Sequence, residues 1–460
     1  MIRFNLLSIV FLVIYLAHLV FSISLERLNR RHVERFGQKV PSALDGFIDP
    51  DKLTRAAEYT LEKSRLFQVE QMLTDLVLLG LIVSGVLPLL DSFAASRMGP
   101  VWSGLIFFLA VGFIFFALEL PFDHYRHFVL EEKFGFNRTD LKTWVLDVLK
   151  GALLSVALLG ILVGPVLWAV KTYPEHWWIL ASLIVALLQL LLVVLYPVLI
   201  APLFNKFTRL EDPILAEQVK TLAERAGLTV KGIYQMDASK RSTHSNAYFT
   251  GFGKSKRIVL FDTLITSHTR DEVLAVLAHE IGHWKLKHVL KSYLLSLVAM
   301  PVGFFLTYLL LNWDMLHATF GFSPSQFYLG LFIIGVFGRR SGYFMQPLAL
   351  ALSRRYERQA DRFAAELQGS PIPLATALKR MASHNLANLT PLPAYVLFNY
   401  THPPVVERIE NLEQQLEPEP LPGASPDTPH TKHAPGPDRS DRSVFGRRVE
   451  PGQPGRGPPK

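Results

Sequence analysis

The apolar residues of this 460-residue chain fall in blocks too long for the interior of a soluble domain. A helix needs roughly 20 mostly apolar residues to cross a bilayer. Residues 4–23, 72–90, 101–118, 151–170, 177–204 and 292–313 meet that length. A seventh stretch, 326–352, is long enough but is interrupted by Arg339 and Arg340. Only 19% of residues are charged, against about a quarter in soluble domains, so the chain reads as a polytopic membrane protein. The first block also fits a cleaved signal peptide, because Arg3 precedes an apolar run ending in Ser22 and Ser24. The distribution of charge argues against that reading.

Segment 24–70 holds nine Lys/Arg, from Arg27 to Arg65, and segment 121–144 adds Arg126, Lys133, Arg138 and Lys142. The alternate loops hold Arg97, Lys171 and, over 314–325, no basic residue. Basic loops stay cytoplasmic, so the N-terminus is expected outside, with 24–70, 121–144, 205–291 and the C-terminal part inside. The net charge of +8 therefore reports topology. The lipid bilayer is the expected partner and nucleic acid is not. Arg339 and Arg340 leave two readings open: charges lining a functional cavity, or a pair at the interface of a short or re-entrant segment.

The organisation that follows has five parts. Residues 1–204 form a membrane region of five helices, with loops 24–71 and 121–144. Residues 205–291 form a water-accessible segment, 292–352 two further spans, 353–416 a second water-accessible segment, and 417–460 a tail. In 205–291, Glu217–Ala226 reads as a helix, and Leu228–Met236, Asn246–Thr250 and Arg257–Phe261 read as strands, with a turn at Gly251–Lys256. Thr269 followed by Glu272 fits a capping box that starts a helix through 270–290. Residues 353–415 read as helices broken by Pro391, Pro393 and the Pro403-Pro404 pair. The tail carries eleven of the 30 prolines and almost no large apolar groups, a composition expected to be disordered.

The chemistry concentrates at His279-Glu280-Ile281-Gly282-His283, an H-E-x-x-H pattern. Residues i and i+4 of a helix share a face, so both imidazoles can bind one Zn²⁺ while Glu280 acts as base toward its water. Val273, Val276, Leu277, Glu280 and Trp284 share one helical stripe, which places an acid on an otherwise apolar face. A bare carboxylate there is penalised by desolvation unless a cation lies beside it. The chain has no cysteine, which excludes thiolate ligands, a thiol nucleophile and disulfides. The third ligand must then be His, Asp or Glu. Five residues beyond His283, His288 reads as a solvated helix-end residue. Glu357, in SRRYERQADRF, is better placed, with Asp361 one turn later to fix a histidine ring.

These residues resemble the integral-membrane zinc metalloproteases of the CAAX prenyl protease type 1 family. The likeness extends to EEKFGFN at Glu131–Asn137, SNAYFTGFGKSKRIVLFDTLI at Ser245–Ile265, SRRYERQADRFA at Ser353–Ala364 and THPPVVERI at Thr401–Ile409, in family order over about residues 1–415. It implies a mostly α fold, with about seven transmembrane helices enclosing a water-filled chamber and a zinc metalloprotease domain with a small β-sheet. It also implies roles. His279, His283 and Glu357 would hold a single Zn²⁺, Glu280 would activate water, and Asp361 would orient a ligand histidine. His402 and Arg408 would stabilise the oxyanion and position substrate, and Asn246, Ala247, Tyr248 and Phe249 would form the substrate-binding edge strand.

The implied activity is endoproteolysis near the C-termini of prenylated or other membrane-associated proteins. The charged Arg339-Arg340 departs from the expected last span. Without a C-terminal endoplasmic-reticulum retrieval signal, and with a short 314–325 loop, the sequence favours a bacterial inner membrane over the endoplasmic reticulum, and with it membrane-protein quality control rather than prenylated substrates. A transporter is a rival class, but the inverted repeats and broken helices in matching halves expected there are not found.

Overall fold

The computed structural model describes residues 2–95, 98–250 and 257–415. The expected turn at Gly251–Lys256 and the Pro-rich tail lie outside the described residues. The described residues are mostly helical, and among them six helices are long and apolar enough to cross a membrane, or seven if one bent pair counts as a span.

Helix α1 (Leu6–Phe36) starts at a capping box between Asn5 and Ser8. Helix α2 (Pro50–Ser84) starts at Asp49 with Pro50 at its first turn, and stops at Gly85, whose φ of 82° suits glycine. Three further spans follow in the order α3 (Pro100–Tyr125), α4 (Leu141–Thr172) and α5 (Trp177–Leu195).

Past the fifth span, the chain makes β1 (Phe207–Arg209), α6 (Pro213–Arg225), β2 (Gly232–Met236), β3 (Ala247–Thr250) and β4 (Arg257–Phe261). The sheet order is β1-β2-β4-β3, with β2 and β4 parallel and the other pairs antiparallel. Helix α7 (Arg270–Lys285) starts at the capping box of Thr269 and Glu272. Glu272 is also buried against Arg380 of a later helix, so one carboxylate caps α7 and ties its first turn to the C-terminal part. Helix α8 (His288–Leu311) is the next span.

The stretch 326–352 is divided between two helices. A short helix at Asp314–Phe320 is bent by 90° from Pro324–Tyr343. Helix α9 (Phe327–Tyr343) then ends, and α10 (Gln346–Gln368) begins with Pro347 in its first turn. Proline cannot continue a preceding helix, so residues 346–352 belong to α10. Helices α11 (Ile372–His384) and α12 (Val405–Gln414) close the described chain.

The two arginines separate. Arg339 is exposed, whereas Arg340 is buried between α1 and α2, ion-paired with Asp75. His18 Nδ1 stands 3.1 Å from Arg340 Nη1, and the Tyr15 hydroxyl donates to the Asp75 carbonyl at 2.7 Å. A charge inside a bundle is tolerated when a counter-charge and hydrogen bonds meet it.

One core joins the α1–α2 loop (Ala43, Leu44, Ile48) to α6, β4, α7, α11 and α12. The loop after the first span therefore packs on the sheet-bearing part. A second core, around Phe107, Leu167, Trp177 and Tyr328, lies among the spans.

Candidate metal centre

Helix α7 is buried on nearly all sides from Glu272 to Gly282; Trp284, expected on its apolar stripe, is 36% exposed. Deep burial leaves the His279 imidazole little freedom, and His283, one turn on, is partly buried. The Nε2 atoms of His279 and His283 face each other at 3.2 Å. Glu357, on α10, enters from the opposite side, with Oε2 3.4 Å from His279 Nε2 and Oε1 3.3 Å from His283 Nε2. One ligand atom from each of the three lies within 4.8 Å of the others.

The approach depends on Gly282. A Cβ there would lie 3.1 Å from the Ala360 Cα and 3.2 Å from its carbonyl oxygen, so the glycine lets the α10 backbone close on α7 beside the site. Glycine in a helix lowers its stability; here it sets the interhelical distance.

Asp361 and Arg408 surround His279. Asp361 Oδ1 accepts from His279 Nδ1 at 2.8 Å. Arg408, on α12, donates to both carboxylate oxygens of Asp361, Nη2 to Oδ1 at 2.6 Å and Nε to Oδ2 at 2.9 Å. Burial alone would raise the Asp361 carboxyl, but the Arg408 charge and the bonds from His279 and Arg408 hold it well below the usual carboxylate range. Glu357 is depressed in the same way: burial opposes ionisation, and the two histidines overcome it.

Glu357 Oε2 is buried and makes no hydrogen bond. Two imidazole nitrogens and an ionised carboxylate turned toward one point form a donor set that fits a cation. Two nitrogens and one oxygen suit zinc with an open fourth position.

His402 Nε2 stands 3.3 Å from Glu357 Oε1, and its Nδ1 pairs with the Thr401 hydroxyl at 2.8 Å. Glu280 follows His279 on α7 and is partly buried. The expected edge strand lies beside this helix: β3 packs against α7 and pairs only with β4 among the described residues. Ala247 and Phe249 turn into the main core, while Tyr248 turns to the other face of the sheet with Tyr234 and Val259. Asn246 precedes β3 and is exposed; its carbonyl accepts from the Phe261 N–H at 3.1 Å.

His288 differs from its reading as a solvated residue. It is 3% exposed. Its Nδ1 lies 3.1 Å from His283 Nδ1, its Nε2 lies 3.0 Å from Gln359 Oε1, and its ring stacks on Tyr356 at 4.2 Å. A His283 that offers Nε2 to a metal carries its proton on Nδ1, so His288 Nδ1 accepts it and His288 Nε2–H donates to Gln359.

Fold and site together define a membrane-embedded zinc metalloendopeptidase. Residues 29–206 match the family model described as CAAX prenyl protease N-terminal, five membrane helices, and residues 209–416 match peptidase family M48. The chain belongs to the CAAX prenyl protease type 1 family of M48 peptidases.

It is 34% identical to a CAAX prenyl protease 1 homolog of Oryza sativa over 81% of this chain and 90% of that protein. It is 33% identical to CAAX prenyl protease 1 of Saccharomyces cerevisiae, over 85% and 92%. The human homolog is 31% identical, over 84% and 91%. The crystal structure of S. mikatae Ste24p superposes with a TM-score of 0.84 at 29% identity, covering 89% of this chain and 100% of that one.

These relatives overturn the bacterial inner-membrane expectation. Relatives at 31–34% identity come from plants, fungi, animals and a slime mould, which favours the endoplasmic-reticulum membrane and leaves bacterial quality control unsupported.

Proposed function

We propose that the protein holds one Zn²⁺ on His279 Nε2, His283 Nε2 and Glu357, and that it cleaves peptide bonds near the C-termini of prenylated proteins. The observation that carries this reading is the convergence of those three side chains, from two helices, within 4.8 Å. The relatives' names bring in the prenylated substrate. When bound, zinc polarises a carbonyl and acidifies a water.

The chain's own residues supply the rest. Glu280 takes a proton from the attacking water and passes it to the leaving amine. Asp361 holds His279 with Nε2 presented inward, and Arg408 holds Asp361. His402, beside Glu357, donates from Nε2 to the developing oxyanion. Arg408 spends Nε and Nη2 on Asp361, and its Nη1 is offered to the substrate. The free edge of β3 takes the substrate as an added strand, through the backbone of Asn246 to Phe249.

The test is Glu280→Gln in purified full-length protein, with a farnesylated C-terminal peptide and its unprenylated twin as substrates. Cleavage should fall by at least about a thousandfold, with one zinc still bound per chain. A Glu280→Gln enzyme of normal activity would falsify the mechanism. Equal cleavage of the two peptides would remove the prenyl preference and leave the peptidase assignment standing.

A further inference from the structure

Arg27, Arg30, Arg31 and Arg65 line one cleft of ≈ 400 Å³ with Glu34, between α1 and α2. None of the four has an acidic group within 4.0 Å among the described residues, and none makes a side-chain hydrogen bond. Four unpaired guanidinium groups around one space repel each other unless an anion lies between them.

Arg27, Arg31 and Arg65 are exposed, and Arg30 is half-buried on the flank of α1. On α1 the buried side near this level is Leu25, Glu26, Asn29 and Val33. At about 100° per residue, Arg27, Arg31 and Glu34 lie on the far side of the helix. The same stripe continues toward the N-terminus as Ile9, Val13, Leu16 and Val20, which are 51%, 59%, 46% and 62% exposed. Large apolar side chains exposed along a span face acyl chains.

Arg65 repeats the pattern on α2, standing at the foot of Val69, Leu73 and Leu76, which are 58%, 38% and 58% exposed. Val20 and Arg27 are separated by roughly 10 Å along the helix axis. That distance carries the arginines from the hydrocarbon edge into the headgroup layer. This is the end of α1 from which the chain enters the core shared with the sheet-bearing part, so the cleft lies on the peptidase's face of the membrane.

We propose that this cleft binds the phosphate head group of an anionic bilayer lipid, with its acyl chains lying along the two apolar stripes. Arginine suits the site because its planar fork meets phosphate oxygens two at a time. Clusters of four or more basic residues at the membrane boundary attract anionic lipids. Glu34 at the rim leaves the cleft net positive. A positive-inside signal alone requires only basic residues somewhere in the loop, and makes no demand that four of them surround one cleft beneath two lipid-facing stripes.

The test uses full-length protein in nanodiscs of phosphatidylcholine containing a few per cent of acyl-chain-labelled phosphatidic acid, with energy transfer to a dye on the protein as readout. The wild type should enrich the labelled lipid at its surface, and Arg27→Gln/Arg30→Gln/Arg31→Gln/Arg65→Gln should weaken that binding by at least about tenfold. Removing equal charge at Lys142, Lys171, Lys220 and Lys231, all exposed, should leave it unchanged. If the quadruple variant does not fold, Arg31→Gln and Arg65→Gln singly should each weaken binding severalfold. Equal loss in the control variant would reduce the effect to net charge and overturn the site. Complete displacement by millimolar inorganic phosphate would overturn the lipid assignment, because the stripes would then contribute nothing. No enrichment over labelled phosphatidylcholine would overturn both.

Discussion

The Nδ1 atoms of His283 and His288 stand 3.1 Å apart, so one histidine of the metal pair is oriented by a third. Asp361 performs that service for His279. The two ligand rings thus rest on different acceptors, one an ionised carboxylate and the other a neutral imidazole braced by Gln359 and stacked on Tyr356.

Loss of an acceptor of this kind costs about 10–100-fold in metal affinity. His288→Ala is therefore expected to weaken zinc binding by that factor, and His288→Gln, which restores a carbonyl oxygen, to recover most of it. Competition with a chromophoric chelator reads both values. An Ala variant that binds zinc as the wild type does would show that the ring only fills space.

The H-E-x-x-H helix, its capping box, and β4 over Arg257–Phe261 were all legible in the sequence, because each rests on short-range spacing. Glu357 was legible as a ligand only through the family resemblance, because E-x-x-x-D spacing recurs on many solvated faces and its helix is distant in the chain. His288 was not legible. Five residues from His283 on a continuous helix would put it on another face, but α7 ends at Lys285 and Lys287 takes a left-handed φ of 58° before α8 begins. The turn brings the ring back, and helical periodicity carries no record of it. Strand β1, three residues long, gave too short a pattern to read. The division of 326–352 at Phe344-Met345 was not legible, because apolar composition runs on across the break between α9 and α10.

Gly282 separates two helices whose spacing positions Glu357. A methyl group there would meet the Ala360 backbone at 3.1 and 3.2 Å, and backbone cannot rotate aside as a side chain can. Gly282→Ala should push α10 outward by a few tenths of an ångström and lower zinc affinity and kcat by about tenfold or more. Its thermal unfolding in the zinc-free state should shift far less. Unchanged metal affinity in Gly282→Ala would remove the glycine from the site's construction.

Arg340 and Asp75 form a buried pair among α1, α2 and α9. Removing one partner of such a pair costs about 3–5 kcal/mol, while replacing both with apolar residues costs much less. Arg340→Met and Asp75→Leu should each lower the unfolding free energy in bicelles by that amount, and the double variant should recover most of the loss. Additive losses in the double-mutant cycle would mean that the two charges act independently, and that His18 and Tyr15 satisfy Arg340 without Asp75.

His268 precedes the capping box of α7 and is buried, with Nε2 lacking a hydrogen-bond partner. Burial lowers its pKa below the usual 6.5; Glu272 opposes that shift, while Arg380 and His384 reinforce it. The unfolded chain takes up a proton as pH falls through about 6.5, whereas the folded chain resists until a lower pH. Stability from this site is therefore complete above 6.5 and is lost below it. His384, also depressed, acts in the same direction. Between pH 7.5 and 5 the melting temperature in detergent should respond less unfavourably to acidification in His268→Gln than in the wild type, without removing the part due to His384. Parallel pH curves for the two proteins would show that His268 is protonated to the same extent folded and unfolded.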